Sequence, residues 1–264
     1  MCITQRNKMN DSDQIIVSLT SWAPRFATLP IVLDSLFHQS VKPDLVVLNL
    51  AGDELVPTFL ETYIEQHGIE VNRMPNTKVF KKLVPTLRKY PESCVISIDD
   101  DFILPDNMIS DFMEVHSRYP DFPISGNTVV LHGMQCHCGS ASLTKATYFG
   151  DYLNAVDDDL MMHCKSDDMV YTFLCNKAGH PYIRTQQRYF LNMQAVDSSV
   201  AYSKSQRSAD KSINDTIIYL TKRFGKIENK LSGYVTDPYL ASISRDVEQK
   251  GQTSLKMMLK EKFF

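Results

Sequence analysis

Cys94-Val95-Ile96-Ser97-Ile98-Asp99-Asp100-Asp101 is the stretch that decides the fold. Five short, largely apolar residues stop abruptly at three carboxylates. A near-continuous apolar run of this length reads as a strand buried on both faces, the usual state of a strand in a parallel sheet. Three adjacent carboxylates repel one another, and their ionised forms need a cation or solvent nearby. They therefore belong at the end of the strand. Ligands of open α/β sheets bind beyond the carboxyl ends of strands. An Asp-x-Asp arrangement there offers hard oxygen ligands to Mg²⁺ or Mn²⁺. The competing reading is a solvated turn whose aspartates cap the next segment of chain.

Outward from this strand the same grammar repeats. Ile15-Ile16-Val17-Ser18-Leu19-Thr20 is a short β-branched run that enters the loop Ser21-Trp22-Ala23-Pro24-Arg25. Leu29 to Gln39 has helical spacing, with Pro30 in its first turn. Leu45 to Leu50 reads as a strand, Val56 to His67 as a helix stopped by Gly68, and Ile69-Glu70-Val71 as a short strand. Thr77 to Tyr90 has a helical pattern interrupted by Pro85, which predicts a broken or late-starting helix. This alternation predicts an α/β fold with a mainly parallel sheet flanked by helices.

Beyond the carboxylates, Asn107 to Tyr119 reads as a helix with Asp106 as its N-cap. Pro123 to Gly126 and Val129 to Leu131 suggest further strand, and Gly133 to Phe149 reads as loop. Asp167 to Ala178 is expected to be a helix closed by Gly179, and Pro181-Tyr182-Ile183 a short strand. Gln194 to Lys211 reads as a mobile loop and Ser212 to Phe224 as the last clear helix. A single domain results, with a core of about 13–225 and a C-terminal extension of about 226–264.

The 264 residues are 43% hydrophobic and 22% charged, an ordinary soluble composition that excludes disorder and a collagen-like repeat. The net charge of −3 gives no electrostatic case for a nucleic-acid partner. Met1 to Gln14 is polar and lacks the pattern of a signal peptide, and the six cysteines read as free thiols of a reducing, cytoplasmic compartment. The C-terminal Leu255 to Phe264 alternates lysines with large apolar residues, as a segment contacting an inner-membrane surface would. Packing back on its own domain is the alternative.

A second acidic motif, Ser166-Asp167-Asp168, opens a helix. One carboxylate suffices to cap it, and Asp167 is expected to do so. Asp168 is then available to act as a general base toward a hydroxyl. Asp157-Asp158-Asp159 reads as a solvated face. His132, Cys136, His137, Cys138, His163 and Cys164 include zinc-ligand types, but their spacing matches no closed zinc module.

In this order the motifs resemble a bacterial glycosyltransferase family of GT-A (Rossmann-like) fold that builds capsular and other surface polysaccharides. The resemblance rests on Ile15 to Ser21, Pro24-Arg25, Gln39-Ser40 and Pro43-Asp44, then on Lys82 to Leu87. Ser97 to Pro105, Ser166 to Val170 and Asn214-Asp215 complete it. Where that family often has a Gly-rich stretch near Tyr-Pro, this chain has Cys138-Gly139-Ser140-Ala141-Ser142.

The resemblance implies a nucleotide-sugar donor and a glycan or lipid-linked acceptor. Thr20, Arg25 and Asn49 would lie near the nucleotide, and Lys82 near the ribose or diphosphate. Asp99 and Asp100 would stand on the donor side, Asp99 and Asp101 would hold a divalent cation (Mn²⁺ or Mg²⁺), and Asp168 would be the base of an inverting transfer. Two other readings stay open at this point. One is a nucleotidyltransferase making nucleotide-sugars, although the loop Thr20 to Arg25 lacks that class's glycines. The other is a non-catalytic sugar- or cation-binding module.

Overall fold

The computed structural model describes residues 14–138, 141–185, 194–196, 206–227 and 237–261. In its first half, strands β1 (Ile15–Thr20), β2 (Leu45–Ala51), β3 (Glu70–Met74) and β4 (Cys94–Ile98) alternate with helices α1 (Leu29–Phe37), α2 (Thr58–His67) and α3 (Val84–Lys89). A 3-10 turn, Lys78–Lys82, precedes α3, and Pro85 sits in the first turn of that helix. This is the late start that proline demands, since its missing N–H costs nothing there.

The second half contains β5 (Phe102–Ile103), α4 (Met108–Arg118), β6 (Ile124–Ser125), β7 (Thr128–Leu131), β8 (Met134–His137) and β9 (Ala141–Thr144). After a 3-10 stretch, Ala146–Leu153, come α5 (Asp158–His163), α6 (Asp167–Ala178), β10 (Ile183–Arg184), β11 (Gln194–Ala195), α7 (Gln206–Phe224) and α8 (Pro238–Glu261).

Seven strands form one sheet in the order β10-β6-β9-β4-β1-β2-β3. β3, β2, β1 and β4 are parallel neighbours, and β9 runs antiparallel between β4 and β6. The result is a mixed, mainly parallel sheet flanked by helices. Alternation along β1 divides the core. Ile15, Val17 and Leu19 pack with α1, α2 and α4, while Ile16 on the opposite face joins Val84, Leu87, Val170 and Leu174. From β1 the chain builds outward through β2 and β3, then returns to lay β4 on β1's other side. In open α/β sheets the crevice at such a reversal, beyond the carboxyl ends of the strands, is where ligands bind; here it falls at β1 and β4.

Several expectations need correction. Gly133 to Phe149, read as loop, contains β8, β9 and a 3-10 stretch. The buried hydroxyls of β9 are satisfied: Ser142 Oγ pairs with Ser97 Oγ at 2.9 Å and Thr144 Oγ1 with Tyr182 Oη at 3.2 Å. Hydroxyls paired inside the fold give the composition of a loop to a central strand. The last helix before the C-terminal region begins at Gln206, not Ser212, and Gln194–Ala195 pairs with β5. Asn107, not Asp106, holds the N-cap position of α4, without a side-chain cap bond. The Asp106 carbonyl instead accepts from Ser40 N at 2.7 Å.

Asp157 is more than a solvated residue. Its Oδ1 accepts from Leu160 N at 2.9 Å, capping α5, and the carboxylate pairs with Arg223 of α7 at 2.6 Å. The Arg223 hydrogen bond, the cap and the adjacent guanidinium charge hold its pKa down to about 2. A carboxylate depressed in the fold contributes stability above its unfolded pKa and loses it as pH falls. Asp157→Ala is expected to cost about 1 kcal/mol at pH 7. The deficit should shrink as the pH of the melt is lowered from about 4 toward 2. An unchanged melting temperature at pH 7 would remove this cap from the account.

Among the described residues no helix is long and apolar enough to cross a membrane. The expectations for residues 1–13, and for the side chains of Leu255 to Phe264, lie outside the described residues.

Candidate active site

Both acidic motifs converge on one lysine. Lys82 ends the 3-10 turn before α3 and is buried. Its Nζ lies 3.1 Å from Asp99 Oδ1, 3.2 Å from Asp167 Oδ2 and 3.6 Å from Asp168 Oδ1. Burial opposes its charge, but Asp167, Asp99 and Asp168 outweigh that and raise its pKa well above the ordinary lysine value. A lysine in the apolar context Val79-Phe80-Lys81-Lys82-Leu83-Val84 can be inside only if paired. Here its partners come from the end of β4 and the first turn of α6.

A second cation serves the rest of the triad. Arg25 closes a 3-10 turn, Ala23–Arg25, just after β1. Its Nη1 donates to Asp100 Oδ1 and its Nη2 to Asp101 Oδ2 at 2.9 Å. Burial raises the pKa of Asp100 even against Arg25, and burial with the neighbouring Asp99 lifts Asp101 to about 6. Burial likewise raises Asp167 to about 6 despite Lys82. Five carboxylates thus share two fixed cations, leaving a surplus of negative charge in the crevice.

The N-cap of α6 is Ser166, without a side-chain cap bond, and Asp167 stands in the first turn, where it turns inward to Lys82. Asp167 is therefore not the cap. A buried lysine provides a stronger partner than backbone N–H groups that solvent can also satisfy. Gly179 closes the helix at φ +98°, and its N–H donates to Asn176 O. In that left-handed conformation a Cβ is strained, so Gly179→Ala should cost about 1 kcal/mol in a denaturant titration.

Arg25, Lys82, Asp99, Asp100, Asp101 and Asp168 are brought to one crevice. Asn49 is not. It is buried one layer below, where its Nδ2 donates to Ser18 Oγ at 3.0 Å and Thr86 Oγ1 at 3.2 Å, and its Oδ1 accepts from Asn72 at 3.1 Å. Thr20 donates to the Asn49 carbonyl at 2.7 Å and stands at the lip of β1. Asn214 meets His132 Nε2 at 3.1 Å, at the β7–β8 turn.

Sequence reasoning overlooked His137 and Ser125. His137 ends β8 with its imidazole buried, Nδ1 2.7 Å from Ser125 Oγ and Nε2 3.4 Å from Asp168 Oδ1. Its sequence signal was a place among histidines and cysteines whose spacing matches no closed zinc module. The five described cysteines form no disulfide, and no group of three or more metal-ligating side chains occurs among the described residues.

For a divalent cation, the relevant observation is Asp101 Oδ1, which is buried and takes no hydrogen bond among the described residues. Asp99 stands two residues away with its side chain about one-third exposed. Two carboxylates with surplus negative charge fit a Mg²⁺ or Mn²⁺ ion that draws its other ligands from substrate phosphates and water.

No family model matches this chain, and no curated protein is matched by its sequence. Solved structures are similar in fold. Residues 1–349 of S. aureus TarS superpose with a TM-score of 0.50 at 9% identity, over 79% of this chain and 72% of that one. Glucosyl-3-phosphoglycerate synthase from Mycobacterium tuberculosis, solved with Mn²⁺, uridine diphosphate and glucosyl-3-phosphoglycerate, gives 0.50 at 12% identity over 85% and 87% of the two chains. A 4-diphosphocytidyl-2C-methyl-D-erythritol synthase gives 0.47 at 12% identity over 77% and 99%. At these identities the likeness is one of fold, and the chain has the mixed, mainly parallel α/β architecture of GT-A, Rossmann-like proteins.

Proposed function

We propose that the protein is a glycosyltransferase that moves a sugar from a nucleotide-sugar donor to a hydroxyl of a glycan or lipid-linked acceptor, with inversion at the anomeric carbon. The observation that carries this reading is the meeting of Asp99 and Asp168 at Lys82, in the crevice where the strand order reverses. One motif faces the donor's diphosphate and the other the acceptor.

Asp99 and Asp101 would hold Mn²⁺ or Mg²⁺, which supplies Lewis-acid stabilisation to a departing nucleoside diphosphate. Arg25 fixes the orientation of Asp100 and Asp101. Asp168 takes the proton of the acceptor hydroxyl, which is too weakly acidic to react without a base. Lys82 keeps a positive charge between the two halves of the reaction. Thr20 lies where the nucleotide would reach the end of β1, while Asn49 supports that edge from beneath.

The test is binding. Nucleotide-sugars should raise the melting temperature in the presence of Mn²⁺, by mass action on the folded state. Asp101→Asn should abolish the cation-dependent part of nucleotide binding. Unchanged affinity for UDP or GDP with Mn²⁺ in that variant would overturn the cation assignment. The lysine-rich Leu255 to Phe264 is proposed as a peripheral membrane contact. Equal co-sedimentation with anionic liposomes by the full chain and by a truncation at Ser254 would refute it.

A further inference from the structure

Ser125 Oγ meets Nδ1 of the buried His137 ring. The Ser125 hydroxyl has one proton and three polar neighbours. Asn127 O, in hydrogen-bond contact, can only accept, so that proton goes there. Asn127 N–H donates to Ser125 Oγ at 3.2 Å. Asn127 O also accepts from Cys138 N at 3.1 Å; with the Ser125 proton on Asn127 O, His137 Nδ1 at 2.7 Å is the donor to Ser125 Oγ. In that arrangement Nδ1 carries the proton, and Nε2 presents a lone pair 3.4 Å from Asp168 Oδ1.

The surroundings keep the imidazole neutral. Burial, with nearby Lys82 adding to it, pushes its pKa down to about 4, against the opposing influence of Asp167 and Asp99. Its ring lies parallel to that of Tyr182, with centroids 5.6 Å apart, and its backbone N–H is held by Thr172 Oγ1 at 3.0 Å. The acceptor lone pair is thus locked in direction. Oδ1 itself is buried, so the exposure of the Asp168 side chain lies on its other atoms.

A lone pair facing a carboxylate oxygen favours the acid over the anion. We propose that His137 is the positioning residue that receives the proton Asp168 acquires, its Nε2 accepting a hydrogen bond from the carboxylic acid formed in the transfer. This rests on Asp168 being the base. As the acceptor's O–H bond breaks, its oxygen forms the new bond to the anomeric carbon. The bond to the diphosphate breaks, and its electron pair leaves with the diphosphate. The proton passes to Asp168. The carboxyl then turns about its soft, two-fold terminal torsion, and the O–H points to Nε2 and away from the new glycosidic oxygen. The 3.4 Å separation is loose at rest and tightens once a proton lies between the two atoms.

Two measurements test this, and the first needs no activity. Nitrogen-15 shifts of His137 in the full-length protein at pH 7 should show a neutral ring protonated at Nδ1. A ring protonated at Nε2, or a charged ring, overturns the proposal. The second is kinetic. His137→Phe keeps a flat ring against Tyr182 and removes the acceptor, so kcat should fall about tenfold with KM unchanged, the loss of one hydrogen bond formed after binding. His137→Gln restores an acceptor oxygen and should recover most of that loss. Parental kcat in a folded His137→Phe overturns the proposal. If that variant does not fold, the tautomer and the His137→Gln rate decide. Absence of any sugar transfer by the parent would instead count against the proposed function, and the nitrogen shifts would still report on His137.

Discussion

Asp168→Asn is expected to lower sugar transfer by about 10²–10⁴-fold while nucleotide binding and thermal stability stay near parental. The substitution keeps the shape of the side chain and removes the basic charge. Stability is spared because Lys82 retains its two nearer partners, Asp99 at 3.1 Å and Asp167 at 3.2 Å. A base acts in the transition state, so its loss falls on kcat. Asp167→Asn makes the informative companion. It removes a buried carboxylate from the lysine and should cost stability, in contrast to its neighbour. Parental transfer by Asp168→Asn, with Asp167→Asn folded and inactive, would reverse the two roles.

Lys82→Met should be the most destabilising single change in the crevice. Removing one partner of a buried ion pair typically costs about 3–5 kcal/mol, because the carboxylates left behind remain desolvated and unpaired. That is a large share of a domain's usual stability. The loss should depend on pH, with a sign set by proton binding. Burial already raises Asp167 against the opposing influence of Lys82; without the lysine it binds a proton more readily still in the folded than in the unfolded state, so the variant loses stability as pH rises. Denaturant titrations at pH 5 and pH 8 should therefore show the larger deficit at pH 8. Equal deficits at the two values would mean that packing of the lysine stem, and not its charge, is what matters.

Much of the first half of the fold is legible in the sequence because local signals and burial agree there. β1, β2 and β4 are apolar runs, their helices have clean spacing, and Pro85 marks a late start that the 3-10 turn and α3 confirm. The second half is harder for a physical reason. β9 is a central strand made of Ala141, Ser142, Leu143 and Thr144, and its polarity is satisfied by cross-strand hydroxyls. Nothing local distinguishes such a segment from a loop.

The site divides in the same way. The carboxylates announce themselves by adjacency and by the strand before them. The relation between the two motifs does not, because it is made by Lys82, 17 residues from Asp99 in sequence. Asn49 looks like a ligand residue at a strand end, yet it closes a buried network with Ser18, Thr86 and Asn72. His137 is the reverse case, a residue whose sequence spacing gives it no role and whose neighbours in space are a serine and a carboxylate.

Sugar transfer in the crevice joining Asp99 and Asp168 is open to direct test by product analysis. Purified protein is incubated with Mn²⁺, a set of UDP- and GDP-sugars and glycan acceptors, and in parallel with nucleoside triphosphates and sugar phosphates. Cation-dependent release of nucleoside diphosphate together with a glycosylated acceptor is expected, with loss of both in Asp168→Asn. Release of pyrophosphate from the triphosphate reactions, with no diphosphate formed from any nucleotide-sugar, would contradict it and assign the crevice to nucleotidyl transfer.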